Sequence, residues 1–281
     1  MTEPPLSRRG FLLAAGGLVA GGTALGADAF RIEPRRVELR REDVPIAGLP
    51  PAFEGFTIAH LSDLHIHSGL HSAAQRAMEL VASERPALTV ITGDLSEYVS
   101  QLPELIPLIR ATAGSAGTVV TMGNWEYAVG ISVADMERTA SAAGAELLCN
   151  RSMVLRRDGA ALALVGLDDP RDGAPDPAAA MRDVPGDATA VWAFHAPGYA
   201  DQLRALAFAP PAFMLSGHTH GGQIRIPLVP PITPQASGRF LEGWYRDTFA
   251  PLFVNRGVGT SGIRARFRCP PEVALFTLRR A

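Results

Sequence analysis

The chain has 281 residues, of which 47% are hydrophobic, so it is long and apolar enough for one domain with a full core. Its formal net charge of -2 provides no basic face, and nucleic-acid partners are therefore not expected. All 26 basic residues are arginine, which excludes a Schiff-base lysine and a lysine-dependent phosphate-binding loop.

The first thirty residues are predicted to be an export signal. Residues 7–13, SRRGFLL, resemble the twin-arginine signature, and a weakly hydrophobic stretch rich in glycine and alanine follows at 14–25. A membrane-spanning helix needs about 20 strongly apolar residues, so stable anchoring is not expected. We therefore predict a twin-arginine signal segment at 1–30 and a single folded domain at 31–281. A disordered basic tail is the alternative for the first segment.

Export leads to several further expectations. The signal predicts that the twin-arginine export machinery carries the folded protein to the periplasm or the outer face of the cytoplasmic membrane. The mature protein is expected to associate with the membrane peripherally or not at all. Cys149 and Cys269 are predicted to be buried free thiols, although export would also permit a disulfide between them.

The segment 31–42 carries five arginines and three glutamates around Val37 and Leu39. This pattern predicts an exposed edge strand, with the two apolar side chains facing inward. An arm for nucleic acid or lipid headgroups is the alternative. A turn-rich connection is predicted at 45–51.

From residue 56 onward, short apolar runs alternate with segments of helical periodicity. The helical segments are 72–84, 101–113 and 133–143. The apolar runs predict strands at 56–61, 87–92, 118–122, 160–167, 190–194 and 212–215, with closing strands at 252–255 and 273–278. Strands that alternate with helices predict an α/β fold with largely parallel pairing at its centre.

Residues that bind divalent metals well follow several of these strands. They are Asp63, His65, Asp94, Asn124, His195, His218 and His220. Taken singly, an aspartate could be a helix N-cap and an asparagine a turn residue. Because the carboxyl ends of parallel strands share one edge, we expect the seven side chains to meet there. A set of nitrogen and oxygen donors without sulfur predicts a site for two divalent ions, the usual solution for phosphoester hydrolysis.

Five ordered segments resemble the motifs of the calcineurin-like metallophosphoesterases. They are SDLH at 62–65, GDL at 93–95, GNWE at 123–126, HAPG at 195–198 and GHTHGG at 217–222. NRGVGTS at 255–261 and CPPE at 269–272 are similar to the exported GHTHGGQ branch of that superfamily, which includes UDP-2,3-diacylglucosamine hydrolase-like and envelope phosphodiesterases. The resemblance implies a four-layer α/β/β/α sandwich and makes 31–281 a metallophosphoesterase catalytic domain.

The resemblance also implies the role of each ligand. The first ion would be held by Asp63, His65 and His220. The second ion would be held by Asn124, His195 and His218. Asp94 would bridge the two ions, and Asp94, Asn124 and His195 would form the catalytic centre. A hydroxide that bridges the ions would attack a phosphodiester or pyrophosphate bond, and Mn, Fe, Zn and Mg all stay open as the metal.

One position departs from the family pattern. The histidine that usually follows the asparagine and assists the leaving group is replaced by Trp125, whose indole can donate a hydrogen bond but cannot transfer a proton at neutral pH. The substrate could have a good leaving group, or His67, His71 or Glu126 could supply the acid. The alternative is a catalytically weak metal-binding protein of the envelope.

The substrate is expected to be an envelope lipid, a glycolipid or a cell-wall polymer. The apolar loop 226–233 and the aromatic residues after it indicate either ordinary packing of a β extension over the core, which is the favoured interpretation, or a cleft for a lipid-linked phosphate. Trp125, Arg256 and Arg264 are candidate substrate contacts. The two arginines could equally form surface salt bridges.

Overall fold

The computed structural model describes residues 25–281, so the twin-arginine motif lies outside the described part of the chain. It contains two six-stranded sheets. The first sheet has the strand order β1 (Glu38–Ile46), β12 (Glu272–Arg280), β2 (Thr57–Leu61), β3 (Leu88–Thr92), β4 (Thr118–Thr121) and β5 (Glu146–Leu147). The second has the order β10 (Gly243–Tyr245), β11 (Leu252–Val254), β9 (Phe213–Ser216), β8 (Thr189–Ala193), β7 (Ala160–Gly166) and β6 (Arg151–Arg157).

The centre of each sheet is parallel. Strands β2 to β5 run parallel in the first sheet, and β7, β8, β9 and β11 run parallel in the second. Six α-helices lie between residues 72 and 203: α1 (Ser72–Glu84), α2 (Leu102–Ala111), α3 (Asn124–Ala128), α4 (Val133–Ala143), α5 (Pro177–Met181) and α6 (Tyr199–Leu203). Among residues 25–281, the helices are too short or too polar to cross a membrane.

Three hydrophobic clusters hold the layers together. Helices α1, α2 and α4 cover the outer face of the first sheet through Val81, Leu108 and Met136. Helices α5 and α6 cover the outer face of the second sheet through Ala180 and Leu203. The remaining cluster fills the space between the sheets with side chains from both. This order of layers confirms the predicted α/β/β/α sandwich.

Most predicted elements have the expected bounds, but the short helices α3, α5 and α6 were not predicted, and the other errors concern edge strands. Residues 28–35, partly assigned to an edge strand, form helical turns, and the edge strand β1 extends into the predicted connection as far as Ile46. Val44 and Ile46 are buried between the sheets, which explains why the strand continues. Strand β6 was missed because its residues are only half-buried or exposed and its ends are charged, so it lacks the apolar run of a buried strand.

The two cysteines are free thiols, as expected. Cys269 is buried, and its Sγ lies 3.2 Å from the carbonyl oxygen of His220. Cys149 is half-buried and packs against the cluster that lies under the helices of the first sheet.

Candidate metal centre

All seven predicted metal ligands meet where strands of both sheets end. Asp63 and His65 follow β2, and Asp94 follows β3. Asn124 begins helix α3 after β4. The remaining ligands follow β8 and β9 of the second sheet: His195, His218 and His220. All seven residues are at most 4% exposed, so the site is a buried cluster that joins the two sheets.

The ligand atoms form two groups. Asp63, His65 and His220 make the first, in which Nε2 of His220 lies 3.1 Å from Nε2 of His65 and 3.3 Å from Oδ1 of Asp63. The second group is Asp94, His195 and His218. In each group, the ligand atoms lie within 4.8 Å of one another, which is close enough for a single ion.

Asp94 stands between the two groups. Its Oδ2 lies 3.2 Å from Nε2 of His195 in the second group and 3.6 Å from Nε2 of His65 in the first. Its Oδ1 accepts a hydrogen bond of 2.7 Å from the backbone N–H of Trp125, which fixes the carboxylate. One carboxylate oxygen is therefore shared by the two groups, as a bridging ligand requires.

The backbone around the ligands is strained. Five of the seven have a positive φ between 46° and 71°, a region that non-glycine residues rarely adopt; they are Asp63, His65, Asp94, His218 and His220. Gly93, with φ of 73°, allows close approach, because a Cβ there would come within 2.7 Å of Nδ1 of His195. Such strain is concentrated at functional sites, where the surrounding structure holds it.

Carbonyl and carboxylate groups orient the ligand rings. Nδ1 of His195 donates to the carbonyl of Thr92 at 2.7 Å, and Nε2 of His218 donates to the carbonyl of Gln235 at 2.6 Å. In the neutral rings, these bonds leave Nε2 of His195 and Nδ1 of His218 with lone pairs that point into the site. The orientation therefore suits metal ligation.

The amide of Asn124 shows that a cation fits this donor set. Its Oδ1 lies 2.8 Å from Nδ1 of His218 and 3.2 Å from Nε2 of His195. Three lone pairs that converge at these distances repel unless a cation lies between them. If the amide were rotated, its nitrogen would donate to the two histidine rings. A cation between the rings and the amide would instead favour the oxygen, which can ligate it. We therefore retain the orientation with the oxygen inward.

Two histidines of the site are kept neutral by burial. Burial lowers the pKa of His218 to about 4 and lowers the pKa of His220 well below its usual value. At His195, burial acts in the same direction, but the carboxylates of Asp94, Asp63 and Asp169 together outweigh it and raise the pKa. A metal ion that binds the ring of His195 therefore replaces a proton.

Glu97 and Arg264 form an outer support that sequence reasoning did not find as such. Oε1 of Glu97 lies 3.5 Å from Nδ1 of His65, and Arg264 donates to the same oxygen at 2.7 Å. Burial opposes ionisation of Glu97, but the ring of His65 and the guanidinium of Arg264 together outweigh burial and lower its pKa to about 2. Arg264 is thus engaged in an ion pair, the alternative left open for it.

The three residues considered as replacement acids have other roles. Both carboxylate oxygens of Glu126 accept backbone N–H bonds, from Asp94 and Gly123 at 2.9 Å and from Leu95 at 2.7 Å. Glu126 is fully buried and joins the loop after β3 to helix α3, so it has no free oxygen for a substrate.

The histidines before helix α1 are held by the backbone. His71 caps α1 by accepting from the N–H of Ala74, and its Nε2 donates to the carbonyl of Leu64 at 2.8 Å. His67 donates through Nδ1 to the carbonyl of His65 at 2.9 Å and stacks on His71. Both nitrogens of His71 are occupied, which argues against its use as an acid.

Trp125 lies against the first group of ligands. Its ring packs edge to face on His65 with centroids 5.5 Å apart. Its Nε1 is buried and has no hydrogen-bond partner among the described residues, so a donor is available beside the ligands. Arg256, by contrast, pairs with Glu272 at 2.9 Å and Glu38 at 3.0 Å, which favours the salt-bridge alternative over a substrate contact.

An apolar groove of about 560 Å³ adjoins the GHTHGG turn. His220 lines this groove together with Ile226, Val229, Ile232 and Ile263. These four isoleucine and valine side chains are more than half exposed. The aromatic residues that follow the loop are packed instead: Phe240 is buried, and Trp244 contacts Phe213, Phe253 and Phe276. The aromatic residues therefore follow the core-packing alternative, whereas the loop borders a cleft.

Comparison with known proteins agrees with the geometry. The family model of the calcineurin-like phosphoesterases matches residues 56–222, which contain all seven ligands. The uncharacterized metallophosphoesterase YkuE of Bacillus subtilis is 31% identical over 237 residues, 82% of this chain and 82% of that protein. The phosphodiesterase YaeI of Escherichia coli is 30% identical over 229 residues, 79% of this chain and 82% of that protein. This chain belongs to the calcineurin-like phosphoesterase family and is a metallophosphoesterase.

Proposed function

We propose that the protein hydrolyses a phosphodiester or pyrophosphate bond with two divalent ions. The observation that carries this proposal is the shared Oδ2 of Asp94, 3.2 Å from His195 and 3.6 Å from His65. The first ion would be held by Asp63, His65, His220 and Asp94. The second would be held by Asn124, His195, His218 and Asp94. When bound, such ions make water nucleophilic at neutral pH and neutralise charge on the phosphoryl group.

The chain's own residues restrict the kind of ester. The backbone N–H of Trp125 fixes Asp94, and its indole N–H is available for a phosphoryl oxygen. Neither group can donate a proton to a departing alkoxide, whereas general acid assistance typically contributes about 10²–10⁴-fold. Bonds whose leaving group is already acidic, such as pyrophosphates and aryl esters, are therefore the expected substrates. The similarity to a protein named as a phosphodiesterase supports a phosphodiester as the bond that is hydrolysed.

The substitution Trp125→His tests this restriction. We expect it to raise hydrolysis of an alkyl phosphodiester at least about tenfold and to change aryl phosphodiester hydrolysis little, because only the alkyl leaving group needs a proton. The pH–rate profile of the variant on the alkyl ester should gain a basic limb. Trp125→Phe, which keeps the ring and removes the donor, is the matched control.

A lower rate of the histidine variant on both esters would contradict the restriction. It would indicate that Trp125 contributes a contact to a working site. A wild-type protein that binds metal ions but hydrolyses neither ester would support the second candidate, a metal-binding envelope protein with little catalytic activity, which the replacement at position 125 favours.

The groove supports a lipid-linked substrate. Its apolar walls adjoin His220 and could receive an acyl or prenyl chain while the phosphate lies at the ligands. An envelope lipid, a glycolipid or a lipid-linked cell-wall precursor has this combination of groups. The test compares one phosphodiester that carries a short acyl chain with the same ester that carries a long one. We expect a lower KM for the long chain, and equal KM values would argue against a lipid-linked substrate.

Export by the twin-arginine route is part of the proposal. The motif at Arg8 and Arg9 supports it. Cell fractionation of the full chain beside an Arg8→Lys, Arg9→Lys variant is the test. The wild type is expected in the periplasm or on the outer face of the cytoplasmic membrane, and the variant in the cytoplasm; equal distribution would contradict export.

A further inference from the structure

The loop after β7 brings an arginine to the metal ligands. This loop follows Gly166 at the same sheet edge as the strand ends that carry His195 and His218. Its shape is fixed by a buried carboxylate, since Oδ2 of Asp169 accepts the backbone N–H groups of Arg171 at 2.9 Å and Asp172 at 2.7 Å. These two hydrogen bonds fix the backbone conformation at Arg171.

The guanidinium of Arg171 reaches Asn124. When the Asn124 oxygen faces the ring nitrogens, its Nδ2 faces Nη1 of Arg171 at 3.2 Å. Both atoms are hydrogen-bond donors, so they cannot bond to each other. The nearest carboxylate of Arg171 among the described residues, on Asp172, is 3.6 Å from Nε, and the side chain is 35% exposed. The guanidinium is therefore partly exposed, lacks a close carboxylate partner among the described residues, and lies beside the amide of Asn124.

Nδ2 of Asn124 and Nη1 of Arg171 can both donate a hydrogen bond to one acceptor atom placed beside them. A phosphoryl oxygen can accept two N–H groups at once, and arginine is well suited to phosphate because of its charge and fork of donors. The ring nitrogens of His218 and His195 face the opposite end of the same asparagine amide. A phosphate at the ions would thus lie next to the guanidinium.

We propose that Arg171, together with the side-chain amide of Asn124, binds a phosphoryl oxygen of the substrate. The inference rests on the proposed function, since it places the phosphoryl group at the second group of ligands. Arginine stays charged at all physiological pH values, so it stabilises negative charge without transferring a proton. Arg171 then supplies part of the electrostatic assistance that the histidine at position 125 would otherwise give.

The competing explanation is structural. With the Asn124 amide rotated, its oxygen would accept directly from Arg171, and the arginine would only orient a metal ligand. The two explanations differ in what the loss of Arg171 changes. A phosphate contact affects phosphate binding, whereas an orienting contact affects metal binding at the second group.

The test uses calorimetry on the full chain, with Mn²⁺ and then inorganic phosphate as the probes. We expect Arg171→Ala to leave the number and affinity of bound Mn²⁺ ions unchanged and to weaken phosphate binding at least about tenfold. Arg171→Lys should recover only part of that loss, because lysine lacks the planar fork. Arg151→Ala, which removes an exposed arginine of the neighbouring strand β6, is the control.

Hydrolysis of an aryl phosphodiester gives the second readout. A loss of about 10²–10³-fold in kcat/KM is expected for Arg171→Ala, with partial recovery on adding free guanidinium ion. Unchanged phosphate affinity, or a loss of Mn²⁺ affinity in its place, would overturn the proposal. Phosphate binding does not require turnover, so a wild type that binds phosphate through Arg171 without hydrolysing the ester would contradict only the proposed function.

Discussion

Replacing Asp94 with alanine is expected to lower metal-dependent hydrolysis by more than about 10³-fold. Its Oδ2 is shared by both groups of ligands, so its loss weakens both ions, and substituting even an outer-sphere partner typically costs 10–100-fold. Asn124→Ala removes a ligand of the second ion alone. It should therefore retain the first ion, whereas Asp94→Ala should lose affinity for both.

The controls for this prediction separate chemistry from folding. Asp43→Ala removes an exposed carboxylate that pairs with Arg279 on the surface and should leave the rate unchanged. Thermal melting should show that Asp94→Ala remains folded. If Asp94→Ala still bound two ions and kept a tenth of the wild-type rate, Asp94 would not be the bridging ligand.

The second large effect concerns stability. Arg266 is fully buried, and its guanidinium donates to the carbonyls of Gly259 at 2.6 Å, Arg256 at 2.9 Å and Cys269 at 3.1 Å. In Arg266→Met, these carbonyls lose their donor, and each buried acceptor left unpaired costs roughly 1–3 kcal/mol. The substitution also removes a charge that is costly to bury, but this gain offsets only part of the cost of the unpaired carbonyls. We expect the free energy of unfolding to fall by about 3 kcal/mol or more.

The loop that Arg266 holds also braces the metal centre. The N–H of Gly259 donates to the carbonyl of Asp63 at 2.7 Å. A Cβ on Gly257 would come within 2.7 Å of the Cβ of Asp63. Arg266→Met should thus reduce affinity for the first ion as well as lower Tm by about 6 °C or more. Arg76→Met, at an exposed ion pair on α1, should change Tm by less than about 2 °C; a similar shift in both variants would contradict the role of Arg266.

The convergence of the seven candidate ligands could be predicted from the sequence because each lies within four residues after the end of a strand. A short apolar run that ends at Asp63, Asp94 or Asn124 places that side chain at the carboxyl end of the sheet, whatever the details of packing. Local sequence therefore carries both the strand and the ligand. The same holds for helices α1 and α4, whose apolar faces repeat every three to four residues.

The supporting residues could not be found in this way, because their partners are distant in sequence. Glu97 and Arg264 are 167 residues apart, and no local pattern relates them. Arg171 lies in a polar loop, and its approach to Asn124 depends on how the two sheets pack. Asp169 lies in the same loop and is fully buried. Such contacts can be found only from the folded structure, because the spacing of residues in the sequence does not show which loops lie together.

One measurement tests the central claim most directly. The metal-free full chain is titrated with Mn²⁺ while the bound ions per chain and the hydrolysis of an aryl phosphodiester are followed together. Aryl leaving groups need no proton, so the assay reports the metal centre independently of Trp125. The shared Asp94 predicts two bound ions per chain and hydrolysis that reaches its maximum only when both are bound. A single bound ion at full activity, or hydrolysis that persists after chelation, would contradict a two-metal phosphoesterase.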